Sequence, residues 1–146
     1  MIVQLIDASF TYDLRHQVLR PNQDLLACQY PSDFDSDSFH LGVYQNDLLI
    51  CVGSFYKENH PDLLDDIQYR LRGMATEPSK QGQGAGSQLI KFAETHMQRK
   101  KEKTNLWWCN ARISAAEYYE KLGLKQFGEI FNIPHIGPHK IMIRKF

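Results

Sequence analysis

The stretch from Tyr69 to Met97, YRLRGMATEPSKQGQGAGSQLIKFAETHM, constrains this chain more than any other. An alternating apolar–polar segment gives way to Glu77-Pro78-Ser79-Lys80, and then to three glycines in five residues, Gly82, Gly84 and Gly86. Ile90, Ala93 and Met97 lie one, four and eight residues after Leu89, which is one face of a helix. Strand, glycine loop and helix are what a chain needs to offer bare backbone N–H groups to a phosphate. Glycine allows close approach, and the helix start supplies unpaired donors and the positive end of the macrodipole. A purely structural turn would use the same glycines, so the neighbours must decide between them.

Two phosphate loops fail on those neighbours. A P-loop needs Lys-Ser/Thr after its last glycine, and Gly86 is followed by Ser87-Gln88. A dinucleotide fold needs G-x-G-x-x-G directly after a buried strand. Here the sixth position from Gly82 is Ser87, a proline loop intervenes, and Arg70 and Arg72 suit a half-exposed mixed sheet. What remains is Gln81-x-x-Gly84-x-Gly86.

The 146 residues predict a single domain over 1–146 with a full core. Lys plus Arg equals Asp plus Glu, 17 each, which lacks the basic field of a general nucleic-acid binder. Cys28, Cys51 and Cys109 are scattered and odd in number, giving neither a disulfide framework nor a C-x-x-C pair. The start, MIVQLIDASF, has no basic n-region, and no apolar run approaches a membrane span. These features predict a reduced, cytoplasmic protein with no membrane and no nucleic-acid partner.

In chain order, Ile2 to Ile6 reads as a strand. A helix follows, with Phe10, Leu14 and Val18 at four-residue spacing and Asp7, Ser9 or Thr11 as its cap. Asp33-x-Asp35-x-Asp37 opens like a calcium loop but has Ser38 and Tyr44 where glycine and glutamate are needed. As a solvated acidic loop it could attract a cationic acceptor by long-range electrostatics. Phe39 to Tyr44 and Leu48 to Tyr56 flank Gln45-Asn46-Asp47 as a hairpin, and Asp66 to Thr76 completes an antiparallel meander. Leu106 to Cys109 reads as a buried parallel strand. Ser114-Ala115-Ala116-Glu117 forms a capping box for a helix that Gly123 stops. The tail predicts a strand over Phe127 to Ile133, a break at Pro134 to Pro138 and a strand over Lys140 to Ile143.

Two segments carry a family resemblance. Gln81-x-x-Gly84-x-Gly86, after Thr76-Glu77-Pro78, resembles the acyl-CoA pyrophosphate loop of the GNAT superfamily of N-acetyltransferases. Asn110-Ala111-Arg112 with Ala115-Ala116-Glu117-Tyr118-Tyr119-Glu120-Lys121-Leu122-Gly123-Leu124 resembles that family's second signature, departing only in having Leu124 for phenylalanine. The resemblance covers most of the chain. It implies an α/β GNAT fold: a mixed central sheet of six to seven strands, the antiparallel meander followed by a splayed parallel pair, flanked by about four helices.

It also implies the site. Acetyl-CoA is the cosubstrate, with no metal, and the partner is an unidentified amine of a small molecule or peptide. Backbone groups of Met74, Ala75 and Thr76 pair with pantetheine, and an N–H of Met74 or Ala75 forms an oxyanion hole. Gln81, Gly82, Gln83, Gly84, Ala85, Gly86 and Ser87 hold the pyrophosphate, with Gln81 replacing the commoner arginine. Asn110 ties the strand end to the CoA arm. Tyr119 faces the departing sulfur. A phenol near 10 and a thiol near 8.5 differ by about 2 kcal/mol, so Tyr119 is expected to stabilise the thiolate by hydrogen bonding.

The base that neutralises the amine is open among Glu77, His40 and His135. His135-x-x-x-His139 has metal-like spacing, but Pro134, Gly137 and Pro138 forbid the helix that would align both rings. Arg72 and Arg112 could orient an acidic acceptor. Cys109 in its apolar strand is a poor nucleophile. The reading is direct acetyl transfer in a ternary complex; a non-catalytic acyl-CoA sensor of the same fold is the alternative. An exposed strand edge offers a route to a homodimer.

Overall fold

A computed structural model describes residues 1–146. Seven strands form one sheet in the order β1-β2-β3-β4-β5-β7-β6, leaving β1 and β6 at its edges. β1 (Ile2–Ile6), β2 (Phe39–Gln45), β3 (Leu48–Lys57) and β4 (Gln68–Thr76) run antiparallel as an uninterrupted meander. The β2–β3 turn is as short as its sequence demands. Asn46 and Asp47 both take positive φ, 50° and 64°, the pair of left-handed residues a two-residue hairpin requires.

β5 (Leu106–Arg112) lies parallel to β4 for only three residue pairs, Gln68↔Leu106, Tyr69↔Trp107 and Arg70↔Trp108. On that register Arg72 would next face Asn110, but there the two strands have parted. β5 instead continues its ladder with β7 (Gly137–Lys145), which also pairs β6 (Lys125–Ile133). The tail therefore differs from the sequence expectation. Chain reversal needs only Pro134 to Ile136, and Pro138 sits inside β7 opposite Asn132, near the strand's start, where one missing donor is tolerated.

Three α-helices accompany the sheet. The first, α1 (Tyr12–Leu14), is one α-turn between a 3₁₀ turn at Ala8–Thr11 and a π-turn at Arg15–Leu19, and neither Asp7 nor Thr11 caps it by side chain. α2 (Ala85–Arg99) lays Leu89, Ile90, Ala93 and Met97, all buried, across β2 and β3. α3 (Ile113–Lys121) starts a residue before Ser114, so the expected capping box does not form. Its end follows the sequence. Leu124 N–H donates to Tyr119 O and Gly123 N–H to Glu120 O, the paired bonds of a glycine-terminated helix. No helix is long and apolar enough to cross a membrane.

The main core lies between α2 and the sheet. Trp107, Phe55 and Tyr69 are fully or almost fully buried there, each worth roughly 1.5–3 kcal/mol of burial or more. The opposite face carries a polar knot instead. Arg15 and Asp33, both with fully buried side chains, form a two-bond ion pair at 2.8 and 3.0 Å. Arg15 also donates to Ser54 Oγ, Tyr56 Oη and Cys28 O. The first aspartate of the acidic loop is thus neutralised inside the fold rather than displayed to solvent.

One irregularity shapes everything downstream. Val52 pairs Ala75 while Ser54 pairs Arg72, so Gly73 and Met74 together oppose Gly53 alone. This is a β-bulge, which leaves backbone groups out of the ladder and re-aims the strand. Gly73 takes φ +64°, and a Cβ there would meet Arg15 Nε at 3.0 Å and the Tyr30 ring at 3.2 Å. From the other face Leu89 of α2 presses on Gly53, within 3.0 Å of where its Cβ would lie. The bulge is held between core and knot.

Candidate active site

The parting of β4 and β5 opens the sheet on two sides. On the α2 side lies a cavity of about 500 Å³. It is lined by Met74, Ala75 and Thr76 from the end of β4, by Gln81, Gly82, Gly84, Ala85, Gly86 and Ser87 from the glycine loop, and by Tyr119 of α3. Ten of the twelve residues the sequence singled out therefore share one wall. Gln83 points elsewhere, its Oε1 accepting from Gln45 Nε2 at 3.3 Å. Asn110 lines a separate cleft on the far side of the parting.

The loop is built as phosphate chemistry requires. Gly84, at φ +89°, turns the chain into α2, and the first helical hydrogen bond runs from Gln88 N–H to Gly84 O. The N–H groups of Ala85, Gly86 and Ser87 therefore have no partner within the helix, and they sit at the positive end of its dipole. Gly86 has ordinary helical geometry; its reason is space. A Cβ there would overlap the Tyr118 hydroxyl and lie 2.9 Å from the Met74 methyl.

Four further wall residues, Val18, Lys80, Ala115 and Tyr118, had no site role from the sequence, although Ala115 and Tyr118 lie in the second signature. Lys80 supplies a positive charge beside Gln81, the position where the loop motif commonly has arginine. Its place next to the motif was the available signal. Tyr118 and Tyr119 stand edge to face with centroids 5.3 Å apart, so two phenols border the cavity rather than one. Burial pushes the Tyr118 phenol up to about 12 and that of Tyr119 well above its ordinary value, with the nearby Cys109 and Tyr118 adding to the latter. Both remain protonated and able to donate. Cys109, 3 % exposed, has its thiol pushed up to about 12 by burial, so it offers no thiolate at neutral pH.

The second cleft, about 220 Å³, lies between Arg70 to Gly73 of β4, Asn110 and Arg112 of β5, His139 of β7, and Arg20 and Tyr30 from the N-terminal segment. Gly73 borders this cleft and Met74 borders the cavity, so the two hollows are adjacent across the bulge. His139 Nδ1 lies 2.8 Å from Gly137 O. A carbonyl only accepts, so Nδ1 carries a proton, and in the neutral ring the lone pair is then on Nε2.

The three base candidates from the sequence are placed differently. His40 is buried with both nitrogens engaged, Nδ1 with Ser54 Oγ and Nε2 with Asp33 O, and burial lowers its pKa. Glu77 accepts from Ser79 N–H and its hydroxyl, closing the turn before the loop. His135 sits exposed in the β6–β7 turn at φ 67°. No group of three His, Cys, Asp or Glu side chains is placed to hold a metal ion. A further hollow of about 500 Å³ between Val3, Lys91, Phe92 and Arg99 is bordered by no residue of β4 or β5.

Comparison with known proteins gives a family and a fold. The family model described as Acetyltransferase (GNAT) family matches residues 2–124. An uncharacterized N-acetyltransferase of Bacillus subtilis (strain 168), YitI, is 44% identical over 142 residues, covering 97% of this chain and 94% of that protein. Among solved structures, an aminoglycoside 6'-N-acetyltransferase complexed with coenzyme A superposes with TM-score 0.79 at 13% identity, covering 99% of this chain and 97% of the other. Escherichia coli ElaA superposes with TM-score 0.73 at 19% identity, over 99% and 100%. At such identities the structural likeness speaks for the fold alone.

Proposed function

Because the chain belongs to the GNAT family of acetyltransferases, we propose that it moves the acetyl group of acetyl-CoA to a primary amine by direct attack. The observation that carries this reading is the cavity itself. Unpartnered N–H groups at the start of α2, a Gly86 that lets the Tyr118 hydroxyl and Met74 pack against the helix start, and a bulged strand end lie on one wall. These features fit a pyrophosphate followed by an extended pantetheine arm.

In this reading Ala85, Gly86 and Ser87 donate to the pyrophosphate, with Lys80 and Gln81 beside them. The pantetheine lies along Met74 to Thr76 in place of the strand that β5 does not supply. An N–H released by the bulge, at Met74 or Ala75, stabilises the oxyanion formed when the amine attacks the thioester carbonyl. The C–S bond then breaks. Tyr119 donates a hydrogen bond to the leaving thiolate, which takes up the proton lost by the amine.

The amine must first be neutral, which for a lysine-like group costs about 4–5 kcal/mol at pH 7. His139 replaces Glu77, His40 and His135 as the base we favour, because its Nε2 is free and it borders the cleft. Asn110 is reassigned from the CoA arm to the acceptor side on the same geometry. A covalent acetyl-cysteine route is disfavoured by the protonated, buried Cys109.

Thermal melts with CoA, ATP and NAD, followed by thiol release from acetyl-CoA across an amine panel, test the proposal. Stabilisation by CoA alone together with amine-dependent thiol release supports it. CoA binding without any turnover would favour the sensor reading, and protection by ATP or NAD without CoA would exclude both.

A further inference from the structure

The cleft beyond the bulge is positively charged and has no acidic residue on its wall. Arg20, Arg70, Arg72 and Arg112 all line it. Only Arg70 is neutralised, by Glu58 at 3.0 Å. No carboxylate of the protein comes within ion-pair distance of the other three. Arg72 is the most telling. Its guanidinium stacks over the Tyr30 ring at 4.5 Å, and Arg15 and Arg20 sit over the same ring at 4.0 and 5.3 Å. Burial and the neighbouring Arg70 both lower its pKa, so its charge is held where it is costly. Arg20 and Arg72 are half-buried and Arg112 is exposed, and cations without counter-ions raise the local potential and select for anions.

A second observation lies directly across the parting. Asn110 Oδ1 is buried and has no hydrogen-bond partner. Such orphaned acceptors are rare and call for an explanation. The β4–β5 register would have placed Asn110 opposite Arg72 had the strands stayed together. The parting thus sets an unpaired guanidinium and an unpaired carbonyl acceptor on facing strands.

We infer that this cleft takes the acetyl acceptor, and that the acceptor is a small amine bearing a carboxylate or phosphate close to its nitrogen. This inference rests on the transferase reading for the amine's fate, though not for the anion's binding. The acid group docks on Arg72 with Arg112 and Arg20 in support, in the planar geometry guanidinium offers an oxyanion. The amine nitrogen then faces the bulge and the thioester beyond it, on the side of the cleft that Asn110 borders. Of the acidic loop, Asp33 is neutralised by Arg15, while Asp35 and Asp37 are exposed and border no part of this cleft.

The test has two arms. Calorimetry of the CoA-saturated protein compares an amino acid with its carboxamide, phosphoethanolamine with ethanolamine, and both with spermidine. Thiol release gives kcat/KM for the same compounds, expressed per neutral amine. The anionic member of each pair is expected to lead by about ten- to a hundredfold in both arms. Arg72→Gln should shrink that lead to about threefold or less by raising KM, with kcat retained and Arg72→Lys recovering part of it. The carboxylate and phosphate pairs show which acid group is taken.

Parity within the pairs, a lead for spermidine, or an equal loss on all acceptors in Arg72→Gln would overturn the inference. Anion binding through Arg72 without turnover of any amine would support the cleft assignment while sinking the transferase reading. Absence of anion binding and of any preference among amines that do turn over would sink only the inference.

Discussion

The two hollows on either side of the β4–β5 parting are built from different materials. The cavity on the α2 side presents mainly backbone: N–H groups of Ala85 to Ser87 and the end of a bulged strand, with Lys80, Gln81 and the two phenols Tyr118 and Tyr119 around them. The cleft on the other side is made of side chains, four arginines, a histidine and an orphaned asparagine, drawn from β4, β5, β7 and the N-terminal segment. Backbone donors grip a constant group regardless of the side chains carried on them. Side chains discriminate, and they can change without disturbing the fold. One side therefore suits an invariant carrier and the other a particular acceptor, with Gly73 and Met74 between them.

The largest effect should come from the one element that serves both sides. Arg15 packs under Gly73 and orders Tyr30, and its removal leaves Asp33 buried without a counter-charge. Arg15→Ala is expected to cost about 3–5 kcal/mol in urea unfolding, and a loss below about 1 kcal/mol would remove the knot from the account. The same knot sets the acid limit. Although burial opposes it, the bonds from Arg15 and Tyr56 hold the Asp33 pKa below its ordinary 3.8, and burial holds that of His40 below 6.5. In both cases the unfolded chain takes up its proton first. Stability should therefore decline as pH falls below about 6.5, and again below about 4, with Asp33→Asn flattening the second step.

Next in size are the chemical groups. Tyr119→Phe should lower kcat by about ten- to a thousandfold at saturating acetyl-CoA. Tyr118→Phe, whose hydroxyl rests on Gly86, should act mainly on KM for acetyl-CoA; the reverse pattern would exchange their roles. His139→Gln should lower kcat by about a hundredfold near neutrality and recover at high pH, where the amine needs no base. A pH-independent loss would make His139 structural. Gly86→Ala sharpens the contrast from the cavity side alone. It should raise KM for acetyl-CoA by about tenfold while leaving acceptor preference untouched, as a methyl crowds the helix start.

Legibility followed the same division. The glycine loop, α2 and the hairpin at Asn46-Asp47 lie within short stretches, so spacing and turn chemistry were enough to find them. Lys80 was adjacent to a recognised residue but carried no pattern of its own, and Tyr118 lay inside the second signature, whose resemblance gave a role only to Tyr119. His139 was out of reach, because only the β5–β7 register brings it opposite Arg112. Arg15 and Asp33 could not be paired from sequence either, since the burial that makes Asp33 an internal anchor depends on the fold of the whole N-terminal segment. The Ser114 capping box failed for a local reason: α3 begins one residue early, at Ile113, with Arg112 at its cap position.

The central claim is that the backbone side of the parting holds the acyl carrier. Amide hydrogen exchange of the whole protein with and without CoA tests it most directly. The account predicts slowed exchange at Met74 to Thr76 and at Ala85 to Ser87, with Asn110, Arg112 and His139 unchanged. Protection confined to the arginine-lined side, or none at the start of α2, would contradict it.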